Sequence, residues 1–233
     1  MGIKKSMLMR LMPVGFAILL LSGCVGYSDP PELTAAGIIT TAKTTVNRFQ
    51  ANPDLNKFSY LLKQAKGVVI LPRVIKAGFF AGGEGGNGVL MKRLADNSWS
   101  QPAFYTLAAA SFGLQFGVQD TAIVLILRNQ GALDAILRYQ GKIGADTGAT
   151  VGVYGVGMEA STTTNLGADI AAFASSNVGA YLGASLEGAA LVVRRDLNEA
   201  VYGKGITPDG ILNATPASTE SQNLRDAVAK AAE

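Results

Sequence analysis

Lys66-Gly67-Val68-Val69-Ile70-Leu71-Pro72 marks the place where the apolar spacing of this chain changes period. Upstream, apolar residues recur every three to four positions. Downstream they run in short blocks or alternate, which is the mark of strands. The block 67–72 reads as a short buried strand stopped by its proline. Residues 77–82 and 88–93 read as two more strands around a glycine-rich turn, Gly83-Glu84-Gly85-Gly86-Asn87. Asp96-Asn97-Ser98-Trp99 marks a further turn, followed by extended segments at 104–110, 113–119 and 121–127. Residues 131–139 carry a short helical pattern. Two alternating, glycine-rich stretches follow at 148–160 and 168–194. Residues 198–203 turn toward a polar tail that ends in a helical segment, 221–232.

Working back from Lys66, the chain reads as two amphipathic helices. Ala35, Ile38, Ile39, Ala42, Val46 and Phe49 form one stripe within 33–50. Asn52-Pro53-Asp54 supplies an N-cap, a proline at the first helical position and an acid in the first turn. The stripe that follows is Leu55, Phe58, Leu61, Leu62 and Ala65. Helices held to the ends and strands with hairpin-length connections predict an α+β fold. It is a single domain built on a mostly antiparallel, glycine-rich sheet with amphipathic N-terminal helices.

The first 23 residues belong to a different economy. Lys4, Lys5 and Arg10 precede the apolar run 11–21, and Leu21-Ser22-Gly23-Cys24 follows with small residues at the cleavage position. That order is an export signal, and the run is too short to span a bilayer, which needs about 20 apolar residues. The tetrapeptide resembles the bacterial lipobox, which implies cleavage before Cys24 and acylation of that residue, the only cysteine in the chain. Val25 rather than an aspartate follows, so the resemblance implies an outer-membrane lipoprotein facing the periplasm. The expected division is therefore 1–23 signal peptide, 24–32 tether and 33–233 domain with its polar C-terminal tail.

Removing Lys4, Lys5 and Arg10 leaves 17 basic residues against 17 acidic ones. The apparent basicity is a targeting feature, and no nucleic-acid partner follows from it. With one cysteine the fold is not stapled by disulfides. Histidine is absent, which removes the usual base near neutral pH and the commonest metal ligand. No enzyme activity, cofactor or metal is expected. Gly83-Glu84-Gly85-Gly86-Asn87-Gly88 fits G-x-G-x-x-G. A dinucleotide site needs that loop to open a helix, whereas Val89-Leu90-Met91 continues it as strand. Ser185 lacks a histidine to activate it, and nothing in the spacing unites Glu84, Glu159 and Glu187. A transmembrane barrel ranks last, because 7% aromatic residues leave little for two girdles.

One cluster stands apart from this neutral balance. Lys57, Lys63, Lys66, Arg73 and Lys76 fall between the second helix and the first strands with only Asp54 beside them. They read either as solvated lysines or as a basic face for phospholipid headgroups, where each charge near an anionic surface contributes about 1 kcal/mol.

The ordered series Lys66–Pro72, Gly82-Gly83, Gly88-Val89-Leu90 and Trp99-Ser100-Gln101-Pro102-Ala103-Phe104-Tyr105 resembles the SYLF domain. The likeness continues through Gly113-Leu114-Gln115-Phe116-Gly117, Gly144-Ala145-Asp146 and residues 179–188 to Tyr202-Gly203. It covers roughly residues 33–205. SYLF domains are lipid-binding modules, and eukaryotic members bind phosphoinositides and regulate actin. The resemblance implies a membrane phospholipid as partner and makes 33–50 the candidate membrane-contacting helix. A periplasm offers neither actin nor phosphoinositides, so the particular lipid stays open. The other reading is a structural protein whose small-residue strands dock an envelope protein or a second copy.

Overall fold

The computed structural model describes residues 29–78, 81–112, 117–138, 143, 149–155, 167–175, 186, 188–213 and 219–233. The chain divides into two units, residues 1–30 and 31–233, and every element below belongs to the second.

Helix α1 (Pro31–Ala51) leads through a 3-10 turn (Pro53–Leu55) to α2 (Phe58–Gln64). Four strands follow: β1 (Gly67–Gly78), β2 (Ala81–Lys92), β3 (Ala103–Phe112) and β4 (Gly117–Leu127). Then come α3 (Gln130–Arg138), β5 (Val151–Gly155), β6 (Ile170–Ala174) and β7 (Ala190–Val193). Helices α4 (Arg195–Tyr202), α5 (Pro208–Asn213) and α6 (Thr219–Ala231) close the fold. The strands form one sheet in the order β5-β6-β4-β1-β2-β3-β7. Every neighbouring pair is antiparallel except β5–β6, which is parallel. The α+β reading with a mostly antiparallel sheet is what the chain adopts.

The sheet carries a core on each face because its strands alternate. Val68, Ile70, Val89, Met91, Phe104, Val124 and Ile126 face α1, α2 and α6. Val69, Leu71, Leu90, Tyr105, Leu107, Leu125 and Leu127 face α3 and α5. The apolar stripe expected on 33–50 is buried to the last member, with Ala35, Ala42 and Val46 at 0% exposure. The C-terminal segment, read as a polar tail, supplies Leu224, Val228 and Ala231 to the same core. Its amphipathic spacing places α6 beside α1 rather than in solvent.

Two sequence expectations change in the sheet. Proline does not end the first strand: β1 runs through Pro72 to Gly78 as the central strand. It does so on a bulge. From Ile70↔Val89 to Ile75↔Gly85, β1 spends one residue more than β2, and from Leu71↔Ile123 to Val74↔Thr121 one more than β4. The ladder is broken on both sides just where proline has no N–H to give.

Nor is Gly83–Asn87 a turn; it lies inside β2, paired residue by residue with β3. A Cβ at Gly86 or Gly88 would run into the carbonyl oxygens of Arg73 and Ile70. The glycines are there for the close approach of the bulged β1. The positive-φ glycines among the described residues are Gly188, Gly203 and Gly205. Residues 198–203, expected as a turn, are instead the end of α4, which stops at Gly203 with φ +98°.

Candidate membrane-facing site

The second helix is set by aromatic packing. Phe58 meets Phe49 at 5.7 Å and Phe173 edge-on at 5.3 Å, and Phe173 stacks on Tyr154 at 5.1 Å. This chain of rings pins one side of α2 to α1 and the sheet. The start differs from the expectation in detail, since Asn52 Oδ1 accepts from Asp54 N at 3.0 Å and so caps the 3-10 turn. The α-helix proper begins at Phe58.

The C-terminal end of α2 is held by Arg93. Its Nη2 donates to Leu62 O at 2.8 Å, which also accepts the Ala65 N–H at 3.2 Å, and its Nε donates to Ala65 O at 3.0 Å, so the guanidinium caps the last turn. With one side buried and its end fixed, α2 turns Tyr60, Lys63 and Gln64 outward. Tyr60 is 63% exposed. Between Leu55 and Lys66 there is no acidic residue.

The five predicted basic residues part company here. Lys57 precedes α2 with its ammonium 5.9 Å from the centre of the Tyr154 ring. Lys63 donates to Glu233 O at 3.0 Å, tying α2 to the end of the chain beyond α6. Lys66 is exposed, and its N–H donates to Leu127 O at 2.8 Å. These three surround α2. Arg73 lies within the bulge of β1 and Lys76 beyond it, roughly 23 and 33 Å along the strand from Lys66 at about 3.3 Å per residue. Arg73 pairs with Asp120 at 2.6 Å, both well exposed. Lys76 stands opposite Glu84 in the β1–β2 ladder. Cys24 lies outside the described residues, as do Ser185, Glu159 and Glu187.

Glu84 is buried at 9% exposure, with no hydrogen-bond partner for its Oε2. The buried apolar face of α1 leaves 33–50 no apolar stripe to offer a bilayer while the helix stays docked. Among the described residues no group of acids and cysteines is placed to hold a metal. No described helix is long and apolar enough to cross a membrane.

Sequence reasoning missed a cleft beside α2. It holds about 250 Å³ and is lined by Leu61, Gln64, Arg128, Asn129, Gly167 and Ala168. Arg128 Nη1 donates to Ala168 O at 2.7 Å. Asn129 Oδ1 accepts from Ala132 N at 2.8 Å and so caps α3, while its Nδ2 donates to Asp169. Burial raises the Asp169 pKa, but hydrogen bonds from Thr150 and Asn129 outweigh it and hold the carboxyl below its ordinary value. Nothing local hinted at this in the sequence, because its walls come from three segments of the chain roughly 40 to 65 residues apart. A second cleft, of about 490 Å³, lies at the β7 edge between Val193, Arg195, Glu199, Ile206 and Pro208.

Comparison with known proteins places this architecture. A sequence model of the Ysc84 family, described as "Las17-binding protein actin regulator", matches residues 108–231. The chain is similar to Protein YSC84 of Saccharomyces cerevisiae, 36% identical over 156 residues, covering 66% of this chain and 33% of the yeast protein. It is 35% identical over 155 residues to LAS seventeen-binding protein 3 of the same species, covering 66% and 34%. It is 30% identical over 174 residues to human SH3 domain-containing YSC84-like protein 1, covering 74% and 50%. The chain spans between a third and a half of the length of these curated relatives. The SYLF pattern read from the residues and the matched family model agree: this chain belongs to the Ysc84/SYLF family.

Proposed function

We propose that this protein is a non-enzymatic bacterial lipoprotein, acylated on Cys24 and held on the periplasmic side of the outer membrane, whose SYLF domain binds anionic phospholipid. The contact is made by the outer face of α2 and its flanks, Lys57, Tyr60, Lys63 and Lys66. The observation that supports this most is the pairing of an exposed tyrosine with three cations on an acid-free segment. Tyrosine combines an apolar ring with a polar tip suited to the headgroup level. The cations add an attraction that salt screens.

Flotation of residues 25–233 with neutral and anionic vesicles tests the reading. The compact unit lies wholly within that piece. The parent should float with anionic vesicles only, and changing Lys57, Lys63 and Lys66 together to Glu should abolish it. Changing Arg73, an exposed residue paired with Asp120, to Gln should leave it intact. A parent that floats with neither vesicle sinks the proposal. Radiolabelled palmitate incorporated by the full chain, and lost in Cys24→Ser, tests the anchor separately.

A second reading, a protein partner, draws on the relatives' names, which describe Las17-binding proteins. Val192 and Val193, 50% and 39% exposed on β7, offer an apolar edge for it. Crosslinking in intact cells that recovers only the monomer would count against this second role.

A further inference from the structure

We infer that the cleft between α2 and the β4–α3 junction is a phosphate subsite that takes the headgroup of an anionic phospholipid, an inference that rests on the membrane-surface reading above.

Its position comes first. Leu61 and Gln64 of α2 form one wall, so the cleft opens beside the face that carries Tyr60 and Lys63. The backbone N–H of the exposed Lys66 bonds Leu127 O, one residue before Arg128, so the start of β1 runs beside the Arg128 wall. A headgroup entering from the basic face meets Arg128 without leaving that end of the domain.

The chemistry is that of an anion site. Arg128 brings a planar fork of donors suited to phosphate oxygens, and its bond to Ala168 O fixes where the guanidinium sits. Gln64 adds an amide. Asn129 caps α3, so the positive end of that nine-residue helix lies on the same side of the cleft. Asp169, whose carboxylate Arg128 also stabilises electrostatically, offsets part of this charge and is engaged by Asn129 Nδ2, Thr150 N and Thr150 Oγ1. The net attraction therefore depends on Lys63 and Lys66 as well as Arg128.

Size narrows the ligand. At about 250 Å³ the cleft is smaller than the roughly 300–1,000 Å³ typical of small-molecule sites. It accommodates a phosphate with its glycerol but not acyl chains, which stay in the bilayer. With Leu61 as its one large apolar wall, it does not select a hydrocarbon ligand.

The test uses residues 25–233, titrated calorimetrically with dihexanoyl phosphatidylglycerol below its micellar concentration and with inorganic phosphate. The parent should bind the short-chain lipid, and phosphate should compete. Gln64→Glu, an exposed helical position, should weaken binding at least tenfold with the fold intact by circular dichroism. Arg128→Lys, which keeps the charge and loses the fork, should weaken it several-fold, and Lys204→Glu should change nothing. Equal binding by the parent, Gln64→Glu and Arg128→Lys overturns the subsite. Vesicle flotation that survives Gln64→Glu but not the Lys57, Lys63 and Lys66 changes overturns it too, while the surface reading stands. If the parent floats with no vesicle yet binds phosphate in a Gln64→Glu-sensitive way, the phosphate chemistry holds and its source is a free phosphate. The surface reading then falls alone.

Discussion

The guanidinium of Arg93 lies over the ring of Trp99, 4.4 Å from its centroid, while the same group caps the C-terminal carbonyls of α2. The two residues also close a β-bridge across the Asp96–Ser98 turn. The orientation of the proposed lipid-contacting helix is thus set by a cation held on an indole.

Arg93→Met should therefore loosen α2 and cost about 2 kcal/mol, from lost charged hydrogen bonds and the cation–π contact. Trp99 is the only tryptophan, so urea unfolding followed by its emission reads the change directly. An unchanged midpoint would mean that the cap contributes nothing to stability.

Asn198, buried at 1% exposure, accepts from Phe104 N at 2.8 Å and donates to Phe104 O at 3.2 Å. Its amide stands in for a strand neighbour where β7 has ended. Asn198→Leu leaves the N–H of Phe104 orphaned, while its carbonyl keeps the Arg194 N–H at 3.0 Å, and a loss of about 1–3 kcal/mol is expected in denaturant unfolding. A loss under about 0.5 kcal/mol, the scale of an ordinary surface change, would refute the role.

The glycines of β2 should respond unequally. Gly86→Ala and Gly88→Ala drive a methyl into the backbone of β1 and should cost about 3 kcal/mol or more, or yield insoluble protein. A Cβ at Gly83 meets open space, so Gly83→Ala should be within about 0.5 kcal/mol of the parent. Thermal melts of the three variants decide it, and equal melting temperatures would contradict the bulge packing.

Stability should form a plateau across neutral pH, since no histidine titrates there. On the acid side, the Arg194 hydrogen bond lowers the Asp196 pKa, and hydrogen bonds overcome burial to lower that of Asp169. Depressed carboxyl values stabilise above the unfolded pKa of about 3.9, and that contribution fades as pH falls through the folded values. Both groups are largely solvated, so the effect is modest. On the alkaline side, burial raises the Tyr105 hydroxyl. The unfolded chain ionises first, so stability falls once pH passes about 10. Melting temperature against pH should show both limbs, with Asp169→Asn flattening the acid one and Tyr105→Phe the alkaline one. A slope centred near pH 6.5 would contradict this assignment.

How far the sequence reached can be judged residue by residue. Every member of the two helical stripes, from Ala35 to Ala65, is buried as the 3.6-residue period required. Pro72 and the Gly83–Gly88 run were misread because both residue types usually punctuate local structure. Here they answer a neighbouring strand instead. The site was half legible: Lys57, Lys63 and Lys66 do gather around α2, whereas the bulged length of β1 carries Arg73 and Lys76 away. Arg128, Asn129 and Gln64 carry no local signal, because what unites them is the return of β4 to the start of β1.

The sequence by itself determined what depends on period and composition: amphipathic helices, a mostly antiparallel, glycine-rich sheet, and no histidine chemistry. The tertiary structure alone decided which surfaces remain for function. The stripe of α1, readable as membrane-seeking, is consumed by the sheet, because docking it removes the same apolar area from water without a bilayer. What stays outside is the polar face of α2 and the cleft beside it. That choice rests on long-range contacts, Phe58 with Phe173 and Arg93 with Leu62, which no local spacing encodes.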